Sequence, residues 1–243
     1  MDWMPDGRIV YASNVGGESR IWVMNADGAD QKPLSEAGKN AVSPKVSPDG
    51  RHIFFLTRNT AQIWRIESDG TRPTRLTESG VEDFAVTPDG RWIIYDLYAP
   101  GIWKIPAEGG TATKLSDTPT WVIRISPDGR LLALNTFVGQ TTQPRPIVLK
   151  FDDLSTVKTF DLPITASSPP VFSADSSALI YLDTRDGVTS LWRQPLDGSA
   201  ARQITNSSSD RISFFAYSRD GKKLAFTRGN STQDAVIISD EQK

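Results

Sequence analysis

The 243-residue chain carries no cysteine, one histidine (His52), and nearly balanced charge, with 27 Lys+Arg against 29 Asp+Glu. Disulfides, thiolate nucleophiles and multi-histidine metal sites are thereby excluded, and any Ser-His-Asp triad would have His52 as its one available base. The lack of basic excess argues against broad phosphate neutralisation, so no nucleic-acid partner is expected. No apolar run reaches the ~18 residues that would span a membrane as a helix, and no signal-peptide layout opens the chain.

Along the chain a tetrad of the form Ser/Thr-Pro-Asp-Gly recurs. It stands at Met4-Pro5-Asp6-Gly7, Ser47-Pro48-Asp49-Gly50, Thr87-Pro88-Asp89-Gly90 and Ser126-Pro127-Asp128-Gly129, and in decayed form at Ser173-Ala174-Asp175-Ser176 and Ser218-Arg219-Asp220-Gly221. Its aspartates are spaced by 43, 40, 39, 47 and 45 residues. After each tetrad comes a short apolar run rich in β-branched and aromatic residues: Ile9-Val10-Tyr11, Ile53-Phe54-Phe55, Ile93-Ile94-Tyr95, Leu131-Leu132-Ala133, Leu179-Ile180-Tyr181 and Leu224-Ala225-Phe226. Such runs, bounded by turn residues, predict buried strands. An aliphatic-Trp pair follows at Ile21-Trp22, Ile63-Trp64, Ile102-Trp103 and Leu191-Trp192. Five residues later comes an acidic-Gly turn, at Asp27, Asp69, Glu108 and Asp197, and seven residues beyond that an aliphatic, at Leu34, Leu76, Leu115 and Ile204.

Each repeat therefore predicts a four-stranded antiparallel meander a-b-c-d, with the Pro-Asp-Gly turn between a and b, tryptophan in c, and an Asp-Gly hairpin between c and d. One such sheet cannot bury both faces, so the expectation is an all-β, six-bladed β-propeller in which tryptophan fills the space between sheets. The blades are expected at about 1–38, 39–79, 80–117, 118–164, 165–207 and 208–243, forming one domain. Blade four has Ile147-Val148-Leu149 in place of the aliphatic-Trp pair, and blade five lacks the Pro-Asp-Gly turn. At the ends, strand a of blade one is expected to be clipped. Val236 stands where the strand-c tryptophan of blade six belongs, and strand d of that blade is expected to be missing. Ring closure from this chain alone is then incomplete, as for an excised fragment or a module of a longer protein.

The order S-P-D-G-R, I-x-F/Y, I-W, D-G and L-T resembles the TolB-type, WD-like repeats of bacterial β-propellers, over essentially the whole chain. The segments Trp22-Val23-Met24-Asn25-Ala26-Asp27-Gly28, Leu191-Trp192-Arg193-Gln194-Pro195-Leu196-Asp197-Gly198, Phe226-Thr227-Arg228-Gly229 and Ala235-Val236-Ile237-Ile238 are also similar to the carboxy-terminal propeller of bacterial serine/threonine protein kinases. The resemblance implies a non-catalytic protein- or ligand-binding module: the sensor domain of a signalling kinase, or a TolB-like scaffold in a periplasmic or extracytoplasmic setting. It implies a protein or peptide partner, with a small ligand as the second choice, and no cofactor.

Uniform a–b and c–d turns fall on one rim, and variable b–c and d–a loops on the other, which makes the second rim the candidate binding face. Its candidates are Glu82, Asp83, Asp210 and Arg211 in d–a segments, Tyr98 in blade three, Phe137 and Gln140 in blade four, and Arg185 in blade five. Lys45 and Arg124 share one repeat position, four residues before the turn aspartate, and are expected near the channel mouth. The rival expectation is a propeller hydrolase or lyase that uses Glu82 and Asp83 as paired carboxylates. The remaining motifs are bland. Asn25-Ala26-Asp27-Gly28 reads as a hairpin rather than a calcium loop, His52 as a structural or exposed residue, and Asp83-Phe84-Ala85 lacks the glycine and context of a kinase magnesium motif. No G-x-S-x-G nucleophile elbow occurs.

Overall fold

The computed structural model describes residues 1–34, 40–78, 80–98, 101–137, 144–163, 169–205 and 211–229. Consecutive strands form consecutive antiparallel sheets. Blade one holds β1 (Asp2–Trp3), β2 (Ile9–Ser13), β3 (Arg20–Met24) and β4 (Lys32–Pro33). Blade two holds β5 (Ala41–Val46), β6 (His52–Thr57), β7 (Gln62–Glu67) and β8 (Thr74–Arg75). Blade three holds β9 (Val81–Val86), β10 (Trp92–Leu97), β11 (Ile102–Pro106) and β12 (Thr113–Ser116). Blade four holds β13 (Ile123–Ile125), β14 (Leu131–Thr136), β15 (Arg145–Lys150) and β16 (Thr156–Thr159), and blade five β17 (Val171–Phe172), β18 (Ala178–Arg185), β19 (Val188–Pro195) and β20 (Arg202–Gln203). A final sheet pairs β21 (Arg211–Tyr217) with β22 (Leu224–Gly229).

The architecture is thus an all-β propeller of four-stranded antiparallel blades. The expectation of six such blades is corrected to five, followed by one sheet that is two-stranded among the described residues. Residues 230–243, including Val236, lie outside the described residues. The clipped strand of blade one is present as the two-residue β1, which pairs Asp2 with Val10 and Trp3 with Ile9.

The blades stack because each b strand sends alternate side chains to opposite faces, as a pleated strand must. Phe55 packs with blade one (Val10, Ile21, Val23), whereas Phe54 packs with blade three (Phe84, Ile93, Tyr95). Ile94 in turn packs with Ile123 and Leu132 of blade four. Two further clusters join blade four to five through Val148 and Leu179, and blade five to β21 through Ile180, Leu191, Ile212 and Phe215. The last sheet meets the first: the indole Nε1 of Trp3 donates to the carbonyl of Ala216 at 3.1 Å. Arg219 donates to the carbonyls of Val46 and Ser47 at 2.9 and 2.7 Å.

The strand-c tryptophans pack between neighbouring sheets, Trp64 against the cluster of blades one and two and Trp103 against that of blades two and three, but they are only partly buried there. Ile63, Ile102 and Leu191, each immediately before a tryptophan, are 0% exposed, whereas Trp22, Trp64, Trp103 and Trp192 are half-buried. Adjacent residues of a strand face opposite sides, so the aliphatic (Ile63, Ile102) turns to the following blade and the indole (Trp64, Trp103) to the preceding one. Each indole sits opposite an aromatic of strand b in register: Tyr11 with Trp22, Phe55 with Trp64, Tyr95 with Trp103, and Tyr181 with Trp192. Such cross-strand pairs stabilise a sheet by roughly 0.2–1 kcal/mol each. The Leu-Thr close of a repeat also has a physical reason. In blades two and five the threonine hydroxyl accepts the N–H of the aliphatic before tryptophan, Thr77 from Ile63 at 2.9 Å and Thr205 from Leu191 at 3.0 Å.

The a–b turn is a hydrogen-bonded clamp. In blades two to five and in the last sheet, Ser47, Thr87, Ser126, Ser173 and Ser218 donate through their hydroxyls to Asp49, Asp89, Asp128, Asp175 and Asp220, at 2.5–2.6 Å. The same hydroxyls accept the backbone N–H five residues on, and the same carboxylates accept the N–H two residues on. The decayed copies at 173–176 and 218–221 therefore keep the turn. Ser176 adopts the positive φ (58°) that glycine supplies elsewhere. Turns also interlock around the ring. A Cβ built on Gly50 would fall 2.8 Å from the ring of Pro5, one on Gly90 3.3 Å from that of Pro48, and one on Gly129 3.7 Å from that of Pro88.

Candidate functional site

The first strand of each sheet is the innermost, so β1, β5, β9, β13, β17 and β21 surround the axis. On four of them sit charged side chains that meet across blade boundaries. Asp2 of β1 accepts the N–H of Val46, at the end of β5, through Oδ2 at 2.7 Å. Its Oδ1 accepts the N–H of Trp3 at 2.9 Å. Asp83 of β9 makes the matching link one boundary further on, accepting the N–H of Ile123 at 3.1 Å and Nη1 of Arg124 at 2.5 Å, both through Oδ2. Arg124 Nη1 also donates to the carbonyl of Ile123 at 2.7 Å, whereas its buried Nε has no partner among the described residues.

Lys45 lies half-buried within the field of Arg124, Asp2 and Asp83. Burial, then the guanidinium of Arg124, push its pKa below the usual lysine range, while Asp2 and Asp83 pull the other way. Among the described residues its ammonium has no hydrogen-bond or ion-pair partner.

Behind Asp83, on β10, Asp96 is completely buried. Its Oδ1 accepts the N–H of Asp83 at 2.7 Å, and its Oδ2 has no partner among the described residues. Burial, with the charge of Asp83 added, raises its pKa to about 8, so Asp96 is a neutral acid at pH 7. Asn135 occupies the same repeat position in blade four, likewise buried and with an unpartnered Nδ2.

The structure therefore brings Lys45, Asp83 and Arg124 together at the axis. Within the d–a segment, Glu82 and Asp83 belong to strand β9, which starts at Val81 because Val81 still pairs with Leu97 after a register shift. Glu82 is exposed, and its pKa is raised by partial desolvation and by Asp83. Arg211 likewise is the first residue of β21 rather than a loop residue. Gln140 and Asp210 lie outside the described residues. Arg185 is taken up locally, bonded to Asp183 at 2.8 Å and stacked 3.9 Å from the centre of the Trp192 ring. His52 lies between Glu67 and Glu108, at 3.6 and 3.9 Å.

Tyr98 and Phe137 stand on b–c loops of blades three and four, 70% and 51% exposed. The structure adds two residues to that rim. Val15, on the b–c loop of blade one, is 71% exposed. Trp121, on the d–a loop of blade four, has its ring 5.2 Å from that of Phe137. Asp2 and Asp96 were also missed, although Asp2 shares the repeat position of Lys45 and Arg124 and was legible from that spacing. Two concavities lie on the opposite rim: a groove of about 420 Å³ lined by residues including Arg8, Asn25, Asp30 and Lys32, and another of about 350 Å³ between Arg8, Leu34 and Asp69.

Residues 1–118 match the family model described as TolB beta propeller domain. Among curated proteins, the Tol-Pal system protein TolB of Anaeromyxobacter dehalogenans is 31% identical over 88 residues, 35% of this chain and 20% of that protein. Dipeptidyl-peptidase 5 of Porphyromonas endodontalis is 29% identical over 102 residues, 37% of this chain and 15% of that protein. The matched stretch is a fifth or less of either relative's length. A solved structure, a putative TolB from Agrobacterium tumefaciens, superposes with a TM-score of 0.65 at 19% identity, over 92% of this chain and 77% of that one. That likeness shows the shared propeller fold.

Proposed function

We propose that this chain, whose repeats are of the TolB type, is a non-catalytic module that binds a protein or peptide partner through its b–c/d–a rim and the adjoining channel mouth. It acts as the interaction or sensor part of a larger assembly, such as a TolB-like scaffold or a signalling kinase. We treat residues 1–243 as one propeller domain, its ring completed to six units by the sheet of β21 and β22. The observation that carries the reading is the exposure of Val15, Tyr98 and Phe137 on loops of one rim, at 71, 70 and 51%. Large apolar side chains held in solvent by a rigid scaffold mark an interaction surface when they gather on one face, and aromatics are favoured anchors at such surfaces.

The hydrolase or lyase alternative draws on Glu82 and Asp83, and the dipeptidyl-peptidase relative keeps it in view. Paired-carboxylate chemistry needs one group free to take a proton or attack. Asp83 is instead bound to the Ile123 N–H and to Arg124, which supports binding over catalysis.

The test is site-specific photocrosslinking in the source cell, with a photoreactive phenylalanine analogue placed at Tyr98, at Phe137, or at Asp27 on the opposite rim. One discrete protein adduct from positions 98 and 137, missing from position 27, is the expected result. Equal labelling from both rims would defeat the proposal.

A further inference from the structure

We infer that Asp96, in its protonated form, braces the rim aromatics of blade three against those of blade four, and that its ionisation releases them. The inference deepens the binding reading above, on which its regulatory meaning rests, by giving the rim a proton-dependent state.

The brace begins as a β-bulge. Tyr95 pairs with Phe84 and Leu97 with Val81, so Glu82 and Asp83 of β9 together stand opposite the single residue Asp96 of β10. A bulge leaves its extra residue outside the ladder. Here the N–H of Asp83 is met instead by Oδ1 of Asp96 at 2.7 Å. Asp83 carries the link across the blade boundary, its Oδ2 accepting the N–H of Ile123 at 3.1 Å and Nη1 of Arg124 at 2.5 Å. Both ends of this chain of hydrogen bonds stand next to the rim. Tyr98 is two residues beyond Asp96, its N–H held by the carbonyl of Gly80 at 2.9 Å. Trp121 is two residues before Ile123, its ring beside that of Phe137. The Trp121 loop is tied to the end of β14, since the Thr120 hydroxyl donates to the carbonyl of Asn135 at 2.9 Å and the Thr136 hydroxyl to that of Pro119 at 2.5 Å.

The surroundings of Asp96 leave no place for a charge. The residue is 0% exposed, and its Oδ2 has no partner among the described residues. From β9 it faces two acids, Asp83 and Glu82. Arg124 of β13 is the cation of the network, and it is bonded to Asp83. Ile102 of β11 stands opposite in register, and the cluster on that face of β10, with Ile94, Ile123 and Leu134, is apolar. A carboxyl so placed favours its neutral form, and burial with the charge of Asp83 raises its pKa to about 8. Ionisation sets a second negative charge beside the carboxylate that holds Ile123 and Arg124. The repulsion falls on the bulge, where the Asp83 N–H is held by Asp96 alone rather than by the ladder. Blade four has Asn135 at the same repeat position, a side chain that cannot ionise.

The test is fluorine NMR of the full chain from pH 6 to pH 10, with trifluoromethyl-phenylalanine placed at Tyr98, at Phe137 or, as a reference on blade one, at Val15. The resonances at positions 98 and 137 should move in one shared step near pH 8, while that at position 15 stays still. Asp96→Asn keeps an oxygen for the Asp83 N–H and copies the residue that blade four already carries, and it should abolish the step. Protection of the Ile123 N–H from hydrogen exchange should fall roughly tenfold between pH 7 and pH 9.5 in the unmodified chain and hold in Asp96→Asn. A missing step at positions 98 and 137, a step shared by position 15, one that persists in Asp96→Asn, or unchanged Ile123 protection would overturn the inference. Photocrosslinking separates the two proposals. If the rim yields no discrete adduct while the Asp96-dependent step is present, the binding reading falls and the brace stands; adducts without the step remove the brace alone.

Discussion

The two rims of this propeller are built by different rules. On the a–b rim the same hydroxyl-to-carboxylate clamp recurs five times at 2.5–2.6 Å, and each clamp consumes backbone donors that would otherwise be unsatisfied. Successive turns also touch, glycine against the preceding proline, so each blade sets the position of the next. Among the described residues no such device recurs on the b–c rim. Loops differ in length, and Val15, Tyr98 and Phe137 extend into solvent, Phe137 with its ring beside that of Trp121. Regular chemistry at one end holds the ring in shape, which leaves the other end able to vary without loss of the fold.

Breaking the regular rim should have the largest effect on stability. Gly50 has φ = 74° and its Cβ would overlap the Pro5 ring. Gly50→Ala should therefore cost roughly 2–4 kcal/mol, combining left-handed strain with overpacking, as read by urea unfolding. A loss below about 0.5 kcal/mol would mean that the turns do not interlock.

The buried acid behind the axis tests the irregular side of the molecule. The folded-state pKa of Asp96, about 8, lies above its ordinary 3.8. The native state thus binds the extra proton between those values, and its stability falls as pH rises through that window. Asp96→Asn keeps an oxygen for the Asp83 N–H and removes the titration. It should stabilise little at pH 5 and by on the order of a few kcal/mol at pH 9. A melting-temperature gain that is flat with pH would show that Asp96 is not a desolvated acid.

Ser126→Ala, which leaves the partly buried N–H of Leu131 without its hydroxyl acceptor, should cost about 1–2 kcal/mol. Acid should act on the same rim. Asp89 is partly desolvated, yet the Thr87 hydroxyl and Arg91 hold it at about 2; Asp175 is held at about 2 by the hydroxyls of Ser173 and Ser177. Depressed carboxylates contribute stability that is present above the ordinary aspartate value and lost as pH falls towards 2. A circular-dichroism titration of Thr87→Val should accordingly show a shallower acid limb than that of the unmodified chain.

The smallest effect on stability belongs to the rim itself. Tyr98→Ala and Phe137→Ala should each shift unfolding by less than about 0.5 kcal/mol, while removing the crosslinked partner. Destabilisation comparable to that of Ser126→Ala would make these residues structural.

Much of this was legible in the residues. Ser-Pro-Asp-Gly, the aliphatic-Trp pair and the Asp-Gly hairpin each impose local backbone geometry, so strand order within a blade follows from spacing. The decayed turns at 173–176 and 218–221 looked like losses because proline and glycine were missing; the clamp needs the serine and the aspartate, and both are there. The tryptophans do fill space between sheets but only partly buried, because strand alternation turns the aliphatic to the following blade and the indole to the preceding one. At the site, Lys45 and Arg124 could be paired through their shared repeat position. Asp96 gave no signal, since a lone aspartate at the end of an apolar strand looks like a solvent-facing residue.

What the sequence by itself determined is the blade: a repeat of turn chemistry and two-residue alternation that acts between neighbours along the chain and needs no distant partner. Only the tertiary structure decided how Asp2, Lys45, Asp83 and Arg124, up to 122 positions apart in the sequence, share one axis, and which of their charges are left unmatched. That outcome depends on the packing of consecutive sheets around a common centre. Proximity there is set by inter-blade burial, and desolvation, which shifts the acid of Asp96 and the ammonium of Lys45, exists only once the ring has assembled.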